Sequence, residues 1–266
     1  MKQLLSIDIG NSTIGFGLFA EPLKNDSVRI KKVPSHPAKS ISSFKKIISD
    51  FIKLETAFSS RTSKPGPLDV ILSSVVPSLD RPVIASIKDL FGKRPLVVSH
   101  RLKTGLVFDI MAPGEIGADR LANATAGIHF FKKPVAVIDF GTATTITVVG
   151  RQRNLLGGAI LPGLELMKKA LHSETAKLPL IDLKKPLLAL GKDTSSAITA
   201  GIVFGTVGAI EALIKAMEKE TGVKLKLLLT GGHAELLSPL IKKEHLLIPD
   251  LTFKGLRFIY LEQLTK

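Results

Sequence analysis

Ile7-Asp8-Ile9-Gly10-Asn11-Ser12-Thr13 and Ile138-Asp139-Phe140-Gly141-Thr142-Ala143-Thr144 lie 131 positions apart and read alike. Each is an apolar, β-branched run that ends in Asp, passes through x-Gly, and re-enters a β-branched run after hydroxyl or amide side chains. A lone Asp-x-Gly is most simply a hairpin turn. Two copies, each opening a similar string of elements, imply an internal duplication, and that decides the fold.

Working outward from the first copy, strands are expected over Lys2–Asp8 and Thr13–Phe19, antiparallel across the tight turn, with a third over Val28–Val33. Ile41, Phe44, Ile47, Ile48, Phe51 and Leu54 recur at the 3–4 spacing of an amphipathic helix over Ser40–Phe58. A Ser-, Thr-, Lys-, Pro- and Gly-rich loop, Ser59–Pro67, leads to strand Val70–Leu72, helix Arg81–Phe91 and strand Leu96–Val98. From the second copy the order repeats. Strands Val135–Asp139, Thr144–Val149 and Leu155–Ile160 precede helices Leu164–Leu171 and Thr194–Thr221. Strand Leu225–Leu229 then ends at Gly231-Gly232, and helices Ala234–Ile241 and Leu256–Leu264 follow. The expectation is an α/β protein of two similar domains, 1–115 and 116–266.

The 266 residues include 37 Lys plus Arg against 23 Asp plus Glu, a formal net charge of +14. Such a charge raises nucleic acid as a partner. The cations, however, come as scattered pairs such as Lys31-Lys32 and Lys242-Lys243, and with no Trp and one Tyr there is no platform for stacking bases. Nucleic acid is therefore disfavoured, and a field that attracts ATP and other anions is the simpler reading. The absence of cysteine removes disulfides, thiolate metal sites and cysteine nucleophiles. No two of the six histidines have the spacing of a helical metal pair. No apolar run approaches the roughly 20 residues that span a bilayer, and no signal core opens the chain, so no membrane partner and a cytoplasmic location are expected.

Phosphoryl transfer from a nucleotide needs small residues where backbone meets phosphate, hydroxyl and amide donors for the oxygens, and carboxylates for metal. Asp8, Gly10, Asn11, Ser12 and Thr13 supply that set in one strand–turn–strand unit; Asp139, Gly141, Thr142 and Thr144 supply it again. Two such hairpins face to face across a cleft would clamp a triphosphate. Neither G-x-x-x-x-G-K-[ST] nor G-x-G-x-x-G occurs. Gly231-Gly232 stands where phosphate or ribose is often received, or is a simple turn. Asp119 in Gly117-Ala118-Asp119-Arg120 is either a helix N-cap or a functional carboxylate.

Seven blocks together resemble the type III pantothenate kinases: Asp8-Ile9-Gly10-Asn11, Gly117-Ala118-Asp119-Arg120, Asp139 to Thr145, Gly157 to Gly163, Thr175 to Pro179, Gly191 to Thr194 and Thr230-Gly231-Gly232. The resemblance implies two ribonuclease-H-like (actin-like ATPase) domains with mixed sheets flanked by helices, and a homodimer. It implies that Asp8, Ile9, Gly10, Asn11, Ser12, Thr13, Ile14 and Gly15 wrap the ATP phosphates and that Thr142 contacts ATP. It further implies that Gly117, Ala118, Asp119, Arg120 and Thr194 bind pantothenate. Asp119 would accept the proton of the substrate's primary hydroxyl, and Asp139 would hold a monovalent cation, potassium or ammonium. Magnesium is expected separately, to neutralise the transferred group.

The chain departs from that pattern at three points: Ser12 stands for the usual Thr, Asp193 for the usual Asn before Thr194, and Ile110 for a Tyr that packs on pantothenate. The activity so implied is ATP-dependent phosphorylation of pantothenate to 4′-phosphopantothenate, the first step of coenzyme A biosynthesis. A kinase of the same fold for another small hydroxy acid is the first alternative, and a non-catalytic relative acting as a transcriptional accessory factor the second. Three carboxylates at Asp8, Asp119 and Asp139 oppose the latter, because a scaffold has no need of them.

Overall fold

A computed structural model describes residues 3–19, 28–34, 41–59, 68–132, 134–186 and 188–265, with the side chains of 43–53 in the helix over 41–59. Lys2, Ser40, the side chain of Leu54 and all but Ser59 of the expected 59–67 loop lie outside the described residues. The chain divides into two compact units. The first comprises 1–105, 112–126 and 250–266; the second comprises 106–111 and 127–249. The sequence reading divided the chain once, after residue 115, whereas here the last helix belongs with the first strands.

In the first unit, β1 (Gln3–Ile9), β2 (Thr13–Phe19) and β3 (Arg29–Pro34) form an antiparallel meander, and β4 (Leu68–Ser74) and β5 (Leu96–Val97) add in parallel, giving the order β3-β2-β1-β4-β5. Successive side chains of β1 leave on opposite faces. Leu5, Ile7 and Ile9 pack with Phe44, Ile48 and Phe51 of α1 (Ile41–Ser59) and with Leu79, Val83 and Ile87 of α2 (Pro77–Phe91). Leu4 and Ser6 on the opposite face are buried as well, so β1 lacks the solvent face of a half-exposed strand. The other face receives Phe253 of the final helix: a Cβ on Gly15 would stand 2.6 Å from its ring, and one on Gly17 would stand 2.9 Å away. Gly15 and Gly17 are thus the hollow into which that ring fits.

In the second unit β7 (Val135–Phe140), β8 (Ala143–Val149) and β9 (Asn154–Pro162) form the meander, with β10 (Lys226–Thr230) and β11 (His245–Leu247) parallel beyond β7. β6 (Val107–Phe108) edges the sheet, whose order is β11-β10-β7-β8-β9-β6. Without that edge the order repeats the first sheet strand for strand, so the duplication expected from the two Asp-x-Gly copies is present in topology. The remaining helices are α3 (Ala118–Phe130), α4 (Leu164–Ser173), α5 (Thr194–Thr221), α6 (Ala234–Leu237) and α7 (Leu251–Leu264).

By length and composition α5 is apolar enough to cross a membrane, a property missed by counting uninterrupted apolar runs. Its Ile198, Ile202, Val203, Val207, Ile210 and Ile214 recur every three or four residues and are buried in the core of the second unit. Such a stripe is what a sheet-covering helix needs. Other differences have local causes. α2 begins at Pro77 because proline's fixed φ suits the first helical position. The helix expected over Ala234–Ile241 stops at Leu237 and tightens into a 3₁₀ turn over Ser238–Leu240, where Pro239 removes a donor.

Candidate active site

The turn after β1 is closed by Gly10 N–H donating to the Thr13 carbonyl at 2.9 Å. It leaves Asn11, Ser12 and Thr13 exposed, while Ile9 and Ile14 are fully buried. Of the stretch 8–15, the half-buried Asp8, the hydroxyl and amide side chains of 11–13 and the backbone are therefore what a ligand can meet. Asp8, last but one on β1, lies opposite Ser73 of β4, whose Oγ donates to Asp8 Oδ1 at 2.8 Å. The sequence reading missed Ser73. Its signal was the Ser73-Ser74 pair directly after the apolar run Val70-Ile71-Leu72 of the strand parallel to β1.

Gly117 to Arg120 reach the same end of this sheet. Val75 N–H donates to the Ile9 carbonyl at 3.0 Å, and a Cβ on Gly117 would lie 3.5 Å from Val75 Cγ1. Leu121 N–H donates to the Gly117 carbonyl at 3.0 Å, so Gly117, not Asp119, is the capping position of α3. Asp119 sits inside the first turn with Oδ1 accepting from Arg120 N–H at 2.7 Å. Burial raises its pKa above the usual carboxylate value, while the Arg120 N–H and guanidinium pull it back. Burial likewise lowers Arg120, and Asp119 offsets part of that. A desolvated carboxylate at the positive end of a helix, beside a guanidinium, is poised to take up a proton from a bound alcohol.

The second unit holds the other candidates. Asp139, on β7, pairs with Thr145 of β8 and Thr230 of β10. Gly231 has φ +97°, and a Cβ there would collide with Asp139 Oδ1 and the backbone of Phe140. Glycine is thus required twice, for the left-handed conformation and for the approach. Thr142 lies in the following turn, its carbonyl accepting from Gly163 N–H at 3.1 Å where α4 begins. A Cβ on Gly163 would strike the carbonyls of Gly141 and Thr142. Asp139, Thr142, Gly163 and Gly231 are therefore one packed constellation at the carboxyl ends of β7 and β10. Beside it His233 Nε2 lies 3.7 Å from Glu165, which binds Lys168 at 2.8 Å; neither His233 nor Glu165 was singled out from sequence.

Asp139 is half-buried, and its carboxylate is a hard oxygen donor of the kind that suits a cation. Among the described residues no three His, Cys, Asp or Glu side chains cluster as a metal site. Thr194 is exposed at the start of α5. Asp193, the departure beside it, caps that helix: its carboxylate accepts from Ser196 N–H at 2.9 Å and Ser196 Oγ at 2.8 Å. These bonds from Ser196 hold its pKa down. Ile110 is half-buried, and Met111, next to it, is wholly exposed.

Known proteins match along this whole pattern. The fold is similar to that of the ethanolamine utilization protein EutJ from Carboxydothermus hydrogenoformans, with a TM-score of 0.54 and 15% identity over 97% of this chain and 89% of that one. It is similar also to (R)-2-hydroxyglutaryl-CoA dehydratase component A from Acidaminococcus fermentans, with a TM-score of 0.51 and 14% identity over 99% and 98%. These likenesses, with the two repeated mixed sheets, show the actin-like ATPase fold of two ribonuclease-H-like domains. A type III pantothenate kinase of Dictyoglomus turgidum is 39% identical over 98% of this chain and all of that protein. A model of the type III pantothenate kinase family matches residues 4–216. The chain therefore belongs to the type III pantothenate kinases, enzymes that use ATP to phosphorylate pantothenate.

Proposed function

We propose that Asp119 is the general base of this kinase, with Gly117, Ala118, Arg120 and Thr194 holding pantothenate and residues 8–15 and Thr142 holding ATP. The hydroxyl oxygen of pantothenate forms the new bond to the γ-phosphorus, the bond from that phosphorus to the β,γ-bridging oxygen breaks, ADP leaves, and Asp119 takes the hydroxyl proton. The product is 4′-phosphopantothenate, at the head of coenzyme A biosynthesis. The observation that carries this reading is the desolvated carboxylate of Asp119, bonded to Arg120 N–H at the end of the sheet that also bears the Asp8 turn. The side chains of Ile9 and Ile14 are core, so their part is confined to backbone, and Gly15 serves first to admit Phe253.

Asp139 holds a monovalent cation, potassium or ammonium, that screens phosphate charge. Magnesium enters with the triphosphate, as it usually does, through phosphates and few protein ligands. Exposed Val107, Met111 and Ile160, on and beside the edge of the second sheet, support a homodimer. The cytoplasm is the location this reading assigns.

ADP release measured with and without pantothenate tests the assignment. Turnover is expected only with pantothenate and magnesium, and it should rise markedly when potassium or ammonium replaces sodium at constant ionic strength. Turnover with another hydroxy acid alone would give the enzyme a different acceptor. Equal rates in the three salts would remove the cation from Asp139.

A further inference from the structure

A cavity of about 830 Å³ opens in the second unit at the end of the sheet opposite Asp139. It lies where β7 and β10 begin and β8 finishes, lined by Lys132, Arg151, Lys224, Lys226, Lys243 and Glu244 around a floor of Pro134, Val223 and Leu225. The five residues of β10 separate this end from Gly231 by roughly 15 Å at the usual rise of a strand. The cavity is therefore separate from the Asp139 constellation. Its volume falls in the range of sites that enclose a small ligand, about 300–1,000 Å³.

The charges around it are unbalanced. Lys226 binds Glu244 at 2.9 Å, and Lys224 and Lys243 share Glu218. Lys132 and Arg151 are exposed and make no ion pair among the described residues. The walls are fixed independently of any ligand. Leu225 N–H donates to Glu218 at 2.8 Å, and Lys226 N–H donates to the Pro134 carbonyl at 2.9 Å. The C-terminal end of α5, at Gly222, adds only about half a negative charge. The five cations outnumber Glu218 and Glu244 by three, and an anion seated among them relieves the repulsion of that excess. A guanidinium fork together with point-charge ammoniums is the donor set that suits phosphate oxygens.

We propose that this cavity is a second anion site, taking a small ligand that carries a di- or triphosphate group. The site goes beyond the kinase reading and does not depend on it.

The probe is inorganic tripolyphosphate, titrated calorimetrically at low salt into the full-length protein and into K132Q/R151Q, whose unchanged catalytic site gives the background of binding there. The wild type is expected to bind one more tripolyphosphate per chain than that background, and K132Q/R151Q to weaken this added binding roughly tenfold or more, because each lost charged hydrogen bond costs about that factor. Both substitutions are at exposed positions. Equal melting temperatures and equal kinase rates without tripolyphosphate would show that fold and catalytic site are intact in the variant. Equal binding by the two proteins, or none to the wild type, would overturn the site. A 20-nucleotide single-stranded DNA that displaces tripolyphosphate, binds more tightly and needs the same two residues would overturn the small ligand in favour of nucleic acid.

Discussion

In the role proposed for it, Asp119 bears two opposed demands. A general base must be ionised to accept a proton, yet burial makes that form costly. Replacing it with Asn keeps an oxygen for the Arg120 N–H and removes both the base and the buried charge. General-base catalysis is worth about 10²–10⁴ in rate, so kcat of D119N is expected to fall by at least a hundredfold. Stability should move the other way. A carboxyl whose folded pKa lies above its unfolded value binds its proton more tightly when folded, so wild-type stability grows as pH falls through the folded pKa. At neutral pH D119N is therefore expected to melt no lower than wild type, and the difference should shift in favour of wild type as pH is lowered towards the ordinary Asp range. By the same pKa, kcat/KM of the wild type should drop on the acid side above that range. A variant that loses stability at neutral pH while keeping its turnover would make Asp119 an ordinary first-turn acid.

Gly231-Gly232 shows how an element is tuned by neighbours that share a letter but not a role. At Gly231 any Cβ meets Asp139 and the Phe140 backbone at φ +97°, while at Gly232 nothing lies within 4 Å. G231A is expected to cost about 1–3 kcal/mol, typical of a strained backbone position, and, by displacing Asp139, to blunt the potassium activation proposed above. G232A should stay within about 0.5 kcal/mol of wild type. Equal melting curves for the two would contradict this packing. The elements were legible where a period or a flanking residue marks them: β2 and α5 begin and end where periodicity and flanking residues put them, whereas the first turns of α2 and α7, the two-residue β6 and the three-residue β11 carry no period to read. The site was legible where residues stand in one turn, as in 8–13. It was opaque where a partner comes from another strand, as Ser73 does for Asp8.

At the scale of the molecule, the first unit is assembled from both ends of the chain. Phe253, Leu256, Ile259 and Tyr260 of α7 are buried, Phe253 in the hollow of Gly15 and Gly17 and Tyr260 against Asp69. At about 1.5–3 kcal/mol for each large apolar side chain, removing α7 forfeits roughly 6–12 kcal/mol, which rivals the whole stability of a typical domain. A protein ending at residue 249 is expected to lose protection of the β1–β5 amides from hydrogen exchange while those of β7–β10 stay protected. Full protection in both sheets would mean that α7 is only an appendage. No local pattern announces this dependence, because Gly15 and Phe253 are 238 positions apart.

That separation also has a consequence in time. A ribosome delivers the chain from its amino end at about 5–20 residues per second, and domains ordinarily fold in that order. Here residues 1–105 emerge early and then wait for about 145 more residues before α7 arrives, a delay on the order of ten to thirty seconds. The second unit, contiguous from 127 to 249, has no such wait. Birth order and folding order are thus reversed. Through the delay the half-finished amino-terminal sheet keeps one apolar face uncovered, an opening for chaperones and for proteases. Ribosome-bound chains that end at residue 249 and are followed by an unstructured linker long enough to clear the ribosome should accordingly be cut within residues 1–105 and spared between 127 and 249.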